Sequence, residues 1–297
     1  MTDAQPQYRT PQAARQGVTD RLRQQADEGP WQLADLQRQY AYDQLVERLY
    51  RIDDQWVIKG ATALLARRVS VRHTVDIDVF RAGSIADVER KVREAARLDI
   101  GDWMRFEVGR SVSVLAAGAQ GARVRVRSSV GTRLWTSFQI DMVSDGIVMT
   151  GEPDEVPPLT VVADERTAWR AYPLVDHVAD KVCAIIERHD GRPSTRYKDL
   201  VDLVAIAMRG RVEATAQTEA LASEAERRAL RLPARFEVPD RSLWEPGYRM
   251  EASRTTGLPA RTLDDALVVV RPFLDPVLDG TVAGTWNPKH ARWEQRA

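Results

Sequence analysis

Apolar residues return at helical spacing over residues 11–28 and again over 31–51, where Leu33, Leu36, Tyr40, Leu45 and Leu49 mark one stripe. The pattern predicts two amphipathic helices, punctuated by Gly29 and Pro30. Residues 1–10 carry no such pattern and are expected to be disordered. The period then changes. Residues 56–58 read as a short strand, Gly60 as a turn, the residues after it as a short helix, and a second strand carries Asp76 and Asp78. Residues two apart in a strand share a face, so Asp76 and Asp78 project together while Val75, Ile77 and Val79 turn to the other side. Ser84 is placed to cap a helix reaching about Leu98, with Ile85, Val88, Val92 and Ala95 on one face. Strand-like alternation follows over 105–115, 122–130 and 134–143, the first two separated by a turn at 117–121.

Residues 151–160 read as a connection, with a short strand at 159–162, and a boundary near Ala171 divides the chain into residues 1–170 and 171–297. Beyond it the pattern is nearly all helical. Pro173 suits a first turn, and residues 174–189 keep Leu174, Val178, Val182 and Ile185 on one face, with Lys181 and Arg188 at its edge. A second helix opens at Arg196, where Asp199 and Asp202 share a face at i, i+3 spacing. Residues 212–232 form a charged, Ala-rich helix whose Arg227, Arg228 and Arg231 offer a basic stripe or a solvated face. Residues 233–259 look irregular, and Thr262 caps a last helix over 263–278. The tail from Trp286 mixes bases and aromatics, a composition able to stack on RNA bases or to pack on its own domain.

Composition narrows the function classes. The formal net charge is zero, so attraction to a nucleic acid requires a local basic patch. No apolar run is long enough to span a bilayer, and the opening Met-Thr-Asp-Ala-Gln-Pro lacks the basic-then-apolar pattern of a signal peptide. The single Cys183 leaves no intramolecular disulfide and no cysteine zinc cage, which suits a reducing cytoplasm. Of the 43 basic residues only five are lysine (Lys59, Lys91, Lys181, Lys198 and Lys289), and three of these fall in the motifs below.

Two carboxylates side by side repel unless a cation or proton lies between them, and Mg²⁺ binds through one or two carboxylates plus substrate phosphates. A solvated strand face is the rival explanation of an isolated Asp-x-Asp. Upstream, Gly60 lets the backbone approach a ligand, Ala61 and Thr62 open a helix whose N–H groups favour phosphate, and Lys59 adds a cation. Lys-Gly-Ala-Thr-Ala-Leu from Lys59, followed by Asp-Ile-Asp from Asp76, resembles the Gly-Ser…Asp-x-Asp signature of the DNA polymerase β-like nucleotidyltransferases. Within that superfamily it is most similar to the AbiEii/AbiGii nucleotidyltransferase toxins, which include the MenT toxins. Thr62 stands where Ser is common and Ala61 where a second Gly is common. Ala-Asp-Lys-Val around Lys181 and Arg-x-Lys-Asp-Leu-x-Asp-Leu from Arg196 resemble later motifs of the family, which often has Arg-Asp at the place of Lys198 and Asp199. Without the resemblance, these two helices read as an antiparallel pair laced by surface ion pairs.

The resemblance implies an α+β fold, a polymerase β-like mixed sheet with flanking helices, followed by a mostly helical C-terminal domain that contributes Lys181 and Asp199 or Asp202 to the site. It implies transfer of a nucleoside monophosphate from an NTP to an acceptor hydroxyl with release of pyrophosphate. Asp76, Asp78 and a third acid on a neighbouring strand would hold two Mg²⁺ ions, with Mn²⁺ as a substitute. Asp141 is the candidate third acid and a possible base, Asp145 its nearest competitor, and a strand-end Asp capping a turn the plainer alternative. Lys59 and Lys181 would neutralise transition-state charge, and Gly60, Ala61, Thr62, Arg188, Lys198 and Asp199 would bind the nucleotide. Asp199 or Asp202 would serve catalysis or hold the basic residues. The implied setting is a cytoplasmic toxin–antitoxin toxin with a cognate antitoxin and no membrane partner. Its substrates would be CTP or another pyrimidine triphosphate, with GTP as an alternative, and the tRNA acceptor end. Two rivals are a small-molecule nucleotidyltransferase of the aminoglycoside-modifying kind and a non-catalytic nucleotide-binding regulatory module. The Thr74 hydroxyl, two residues before Asp76, is a candidate phosphorylation site whose added charge would oppose metal binding.

Overall fold

The computed structural model describes residues 8–69, 74–116, 119–144, 146–160 and 168–295. The chain divides into two compact units, one of Met1–Ala66, His73–Ile147 and Glu155–Ala171, the other of Arg67–Arg72, Val148–Asp154 and Tyr172–Ala297.

The first unit begins with α1 (Pro11–Glu28), where the Thr10 hydroxyl accepts the Ala13 N–H and proline opens the helix, and with α2 (Leu33–Ile52). There follow β1 (Val57–Lys59), α3 (Gly60–Ala66), β2 (Asp76–Phe80), α4 (Ile85–Arg97), β3 (Met104–Ala116), β4 (Ala119–Val130), β5 (Arg133–Val143), β6 (Asp154–Val156) and β7 (Trp169–Ala171). The strands form one mixed sheet in the order β3-β4-β5-β2-β1-β7-β6. Strands β3, β4 and β5 make an antiparallel meander; β2 joins it parallel to β5 and pairs antiparallel with β1. This is the mixed sheet with flanking helices that the family resemblance implies.

Period-two alternation decides which face is covered. Val124, Val126, Phe138, Ile140, Met142, Ile77 and Val79 lie in one cluster with Val18 and Leu22 of α1, Leu45 and Leu49 of α2, and Val88 and Val92 of α4. Each such aliphatic side chain contributes about 1.5–3 kcal/mol by leaving water. Arg48 of α2 is buried within this layer. Asp102 accepts two of its N–H groups at 2.6 and 2.9 Å, and the carbonyls of Gln44, Leu98 and Met104 take others. A buried guanidinium is tolerable only when its donors are satisfied in this way.

Three expectations for this unit change. Tyr8 and Thr10, read as disordered, are held in place: Trp103 Nε1 donates to the Tyr8 carbonyl at 2.8 Å and Thr10 caps α1, while residues 1–7 lie outside the described residues. Val75 is 65% exposed because it precedes β2 and escapes the alternation that buries Ile77 and Val79. Leu159 and Thr160 are not in a strand. The Thr160 N–H is instead donated to buried Asp43 at 2.8 Å, and residues 161–162 lie outside the described residues.

The second unit comprises α5 (Leu174–Ile186), a hairpin of β8 (Arg188–His189) and β9 (Arg192–Pro193), α6 (Tyr197–Arg209), α7 (Ala214–Arg227), α8 (Arg241–Ser253), α9 (Leu263–Leu278) and a hairpin of β10 (Thr285–Asn287) and β11 (Arg292–Glu294). The Thr262 cap of α9 is present as a capping box with Asp265. Helix α8 occupies a segment read as irregular. Pro246 and Gly247 are poor helix formers, but Trp244, Tyr248 and Ala252 make a buried stripe, and the indole and phenol donate to the Ser194 and Ala260 carbonyls at 2.9 and 3.0 Å.

The basic stripe on α7 is absent, since Arg227 and Arg228 pair with Glu224 and Arg228 with Glu187 as well. The tail aromatics are likewise committed to their own unit. Trp286 is buried with its Nε1 donating to the Ala207 carbonyl at 2.7 Å, and Trp293 stacks on Phe273 with ring centroids 5.7 Å apart. Of the two readings of the tail, packing is the one observed.

Candidate active site

The register of four strands draws one row of charges across one face of the first unit's sheet. Lys59 of β1 stands opposite Asp78 of β2, Asp78 opposite Asp141 of β5, and Asp141 opposite Arg123 of β4. Adjacent strands lie about 4.8 Å apart, so these are immediate neighbours. Asp76, two residues from Asp78 on the same face, adds a third acid opposite Gln139. The expected gathering of Asp76, Asp78 and Asp141 on one face of adjacent strands is therefore present in the backbone.

Each carboxylate has its own local arrangement. An ideal Cβ built on Gly60 would fall 1.8 Å from Asp78 Oδ2, so that carboxylate lies directly against the glycine Cα; Gly60 itself has φ +59°. Only glycine meets both conditions at no steric cost. Gly60→Ala is expected to lose at least about 1 kcal/mol from the left-handed backbone alone. It must also push the Asp78 carboxylate aside, and a misplacement near 1 Å costs about a hundred-fold in rate. Melting and initial-rate measurements on one preparation read both effects, and an unchanged rate would contradict the role given to Asp78.

Thr74 is buried and donates its hydroxyl to the Asp76 carboxylate. Thr62 is also buried, and its hydroxyl donates to the Asp76 carbonyl at 3.4 Å, tying α3 to β2. Among the expected phosphate contacts, Ala61 is buried beside it.

Asp141 accepts from Arg123 Nε and Nη2, both at 2.6 Å. This fork, first by its hydrogen bond and then by its charge, raises the Arg123 guanidinium above its usual ionisation range, and the charges of Asp76 and Asp78 act in the same direction. The Asp141 carboxylate is thus turned toward an arginine. Among the described residues no group of three or more His, Cys, Asp or Glu side chains is arranged to hold a metal ion. Asp141, the third acid of the magnesium centre that the resemblance implies, is forked to Arg123 in this structure. What does fit a divalent ion is the pair Asp76 and Asp78, since Mg²⁺ is commonly held by one or two carboxylates with substrate phosphates and water completing its shell. Asp145, the alternative third acid, lies outside the described residues.

In the second unit, Lys181 of α5 is buried with Nζ 3.0 Å from Asp199 Oδ1 and 2.6 Å from Asp202 Oδ2. Asp202 is fully buried, and the other oxygen of Asp199 accepts from Arg196 Nε at the start of α6. These are not the surface ion pairs of the plainer reading. Arg188 does not join Lys181 on a helix edge: α5 stops at Ile186, and Arg188 lies in β8 and donates to the Pro239 carbonyl at 2.7 Å. Lys198 is exposed on α6. Arg123 is the site residue that sequence reasoning missed; the alternation Arg123, Arg125, Arg127 in a strand was the available signal.

The model of a protein family described as the nucleotidyl transferase AbiEii toxin of type IV toxin–antitoxin systems matches residues 44–269, a span that takes in β1 to β5, Lys181 and α6. The chain belongs to this family. It is an AbiEii nucleotidyltransferase, as the Lys59–Thr62 and Asp76–Asp78 motifs suggest, and the family places it in a toxin–antitoxin system and gives it a nucleoside triphosphate as substrate. Among solved structures, JHP933 from Helicobacter pylori is similar at 15% identity and TM-score 0.49, covering 83% of this chain and 92% of that one. MenT4, a nucleotidyltransferase toxin from Mycobacterium tuberculosis H37Rv, is similar at 17% identity and TM-score 0.49, covering 85% and 99%. A putative nucleotidyltransferase from H. pylori gives 16% and 0.45, covering 80% and 91%. No curated protein matches. No helix among the described residues is long and apolar enough to cross a membrane.

Proposed function

We propose that this AbiEii protein transfers a nucleoside monophosphate from a nucleoside triphosphate to the 3′ hydroxyl of RNA, with the tRNA acceptor end as substrate. The acceptor oxygen bonds to the α-phosphorus, the bond from that phosphorus to the bridging oxygen breaks, and pyrophosphate leaves with the electron pair. The observation that carries the reading is the row of Lys59, Asp78, Asp141 and Arg123 beside Asp76, in a chain of this family.

A divalent ion, Mg²⁺ or Mn²⁺, held by Asp76 and Asp78 would supply charge neutralisation at the reacting phosphate. Thr74 and Gly60 fix the orientation of those two carboxylates. Lys59, at the β1 end of the row, opposes negative charge on the phosphates, and the backbone N–H groups after Gly60 are suited to the same task. Asp141 takes the acceptor proton once its fork to Arg123 opens. Thr62 supports the site through the Asp76 carbonyl. For Lys181, Arg188, Lys198, Asp199 and Asp202 the proposal rests on the resemblance, with Asp199 and Asp202 holding the lysine. The proposed domains are residues 1–170 and 171–297. A pyrimidine triphosphate such as CTP is the proposed donor, with GTP the alternative, and a cognate antitoxin the proposed partner.

Incubation with each of four α-labelled triphosphates, together with total tRNA or with aminoglycosides, tests the reading. Label in tRNA from CTP or UTP, matched by pyrophosphate, is the expected result. Label confined to the small hydroxyl compounds would overturn the RNA acceptor.

A further inference from the structure

The face that carries the acids continues along β4 into three exposed arginines at strand spacing, Arg123, Arg125 and Arg127. Their cross-strand neighbours on β5 are Asp141, Gln139 and Ser137, so the arginine row starts beside the third acid and runs away from it. Successive members are roughly 6–7 Å apart. Arg123 is forked to Asp141, whereas the side chains of Arg125 and Arg127 take part in no hydrogen bond or ion pair among the described residues. Exposed Arg105, opposite Ser129 on β3, extends the basic surface, and Glu107 opposite Arg127 offsets part of it. In a chain of zero net charge this is a local concentration of cations. The large apolar residues exposed among the described residues include no aromatic, so the face offers phosphate forks but no stacking platform.

We infer that Arg125 and Arg127 form a track for the phosphodiester backbone of the acceptor RNA, laid along β4 with its 3′ end toward Asp141. The inference rests on the RNA acceptor proposed above and assigns the surface that receives it. An acidic protein would be drawn by the same charges. RNA is favoured because the row opens onto the candidate acids of the same face, where a strand's terminal hydroxyl has to arrive. Contacts through phosphate alone carry no sequence information, so binding is tolerant of base sequence.

The test uses the full chain. A fluorescent single-stranded RNA is titrated without nucleotide across a salt series, with wild type, Arg125→Gln/Arg127→Gln and Arg125→Lys/Arg127→Lys. Each phosphate contact on a single strand contributes about 0.7 to the slope of log K against log salt, so the glutamine variant is expected to lose about 1.4. Its KM for RNA should rise about ten-fold or more while its KM for triphosphate stays put, equally for RNAs of different sequence. The lysine variant, which keeps both charges, should retain the slope. An unchanged slope in the glutamine variant, with wild type still labelling RNA, overturns the track and leaves the proposed reaction standing. Wild type that labels no RNA overturns both. A glutamine variant that binds RNA normally but loses an acidic protein partner assigns the row to that partner and overturns the inference.

Discussion

Asp78→Ala lowers nucleotidyl transfer at least about a hundred-fold while the protein still folds. The magnitude follows from the position of the carboxylate: it stands between Lys59 and Asp141 in the charge row and against Gly60, where no other side chain fits. Removing one preorganised electrostatic group at a reacting centre typically costs 10²–10³ in rate. Stability should change little, because Asp78 is only partly buried and sits beside two other acids whose mutual repulsion its loss relieves. Single-turnover transfer and thermal melting on the same sample separate the two readouts. A variant that melts as wild type and transfers at the wild-type rate would remove Asp78 from the mechanism.

Lys181→Met differs from Asp78→Ala in its large effect on stability. Lys181 is the cation between buried Asp199 and fully buried Asp202. Taking away one partner of a buried ion pair leaves the remaining charge uncompensated, which costs about 3–5 kcal/mol. Replacing all three members by groups that carry no charge avoids that penalty, so Lys181→Met/Asp199→Asn/Asp202→Asn should recover most of the stability. Transfer should stay low in both variants if Lys181 also acts in the reaction. Recovery of transfer along with stability would make the lysine a structural residue alone. Denaturant unfolding and initial rates, measured side by side, decide between the two.

The parts of the site that depend on local chemistry were legible in the sequence. Gly60, Asp76 and Asp78 are set by a turn and by the period of a strand, and Thr262 and Ser84 cap helices as their position suggests. What escaped depends on pairing and burial. That Arg123 faces Asp141 follows from the register of the β4–β5 hairpin, which includes a shift at Ser128 and Ser129 that no short motif announces. The Lys181 cluster was recognisable as a motif, but only packing shows it to be buried. Arg188 was misplaced because α5 ends early: Glu187 is drawn to Arg228, and the next residues pair with Arg192 and Pro193. Helix α8 was hidden by Pro246 and Gly247, whose poor propensity is outweighed by burial of Trp244 and Tyr248.

The most direct measurement counts products. In one reaction with labelled triphosphate and tRNA, nucleotide incorporated into RNA and pyrophosphate released are quantified for wild type and for Asp76→Asn, Asp78→Asn and Asp141→Asn. Wild type should give one pyrophosphate per nucleotide added, and the three variants should give almost none of either while melting normally. Equal incorporation by wild type and by the Asp76 and Asp78 variants would show that the chemistry is done elsewhere in the molecule.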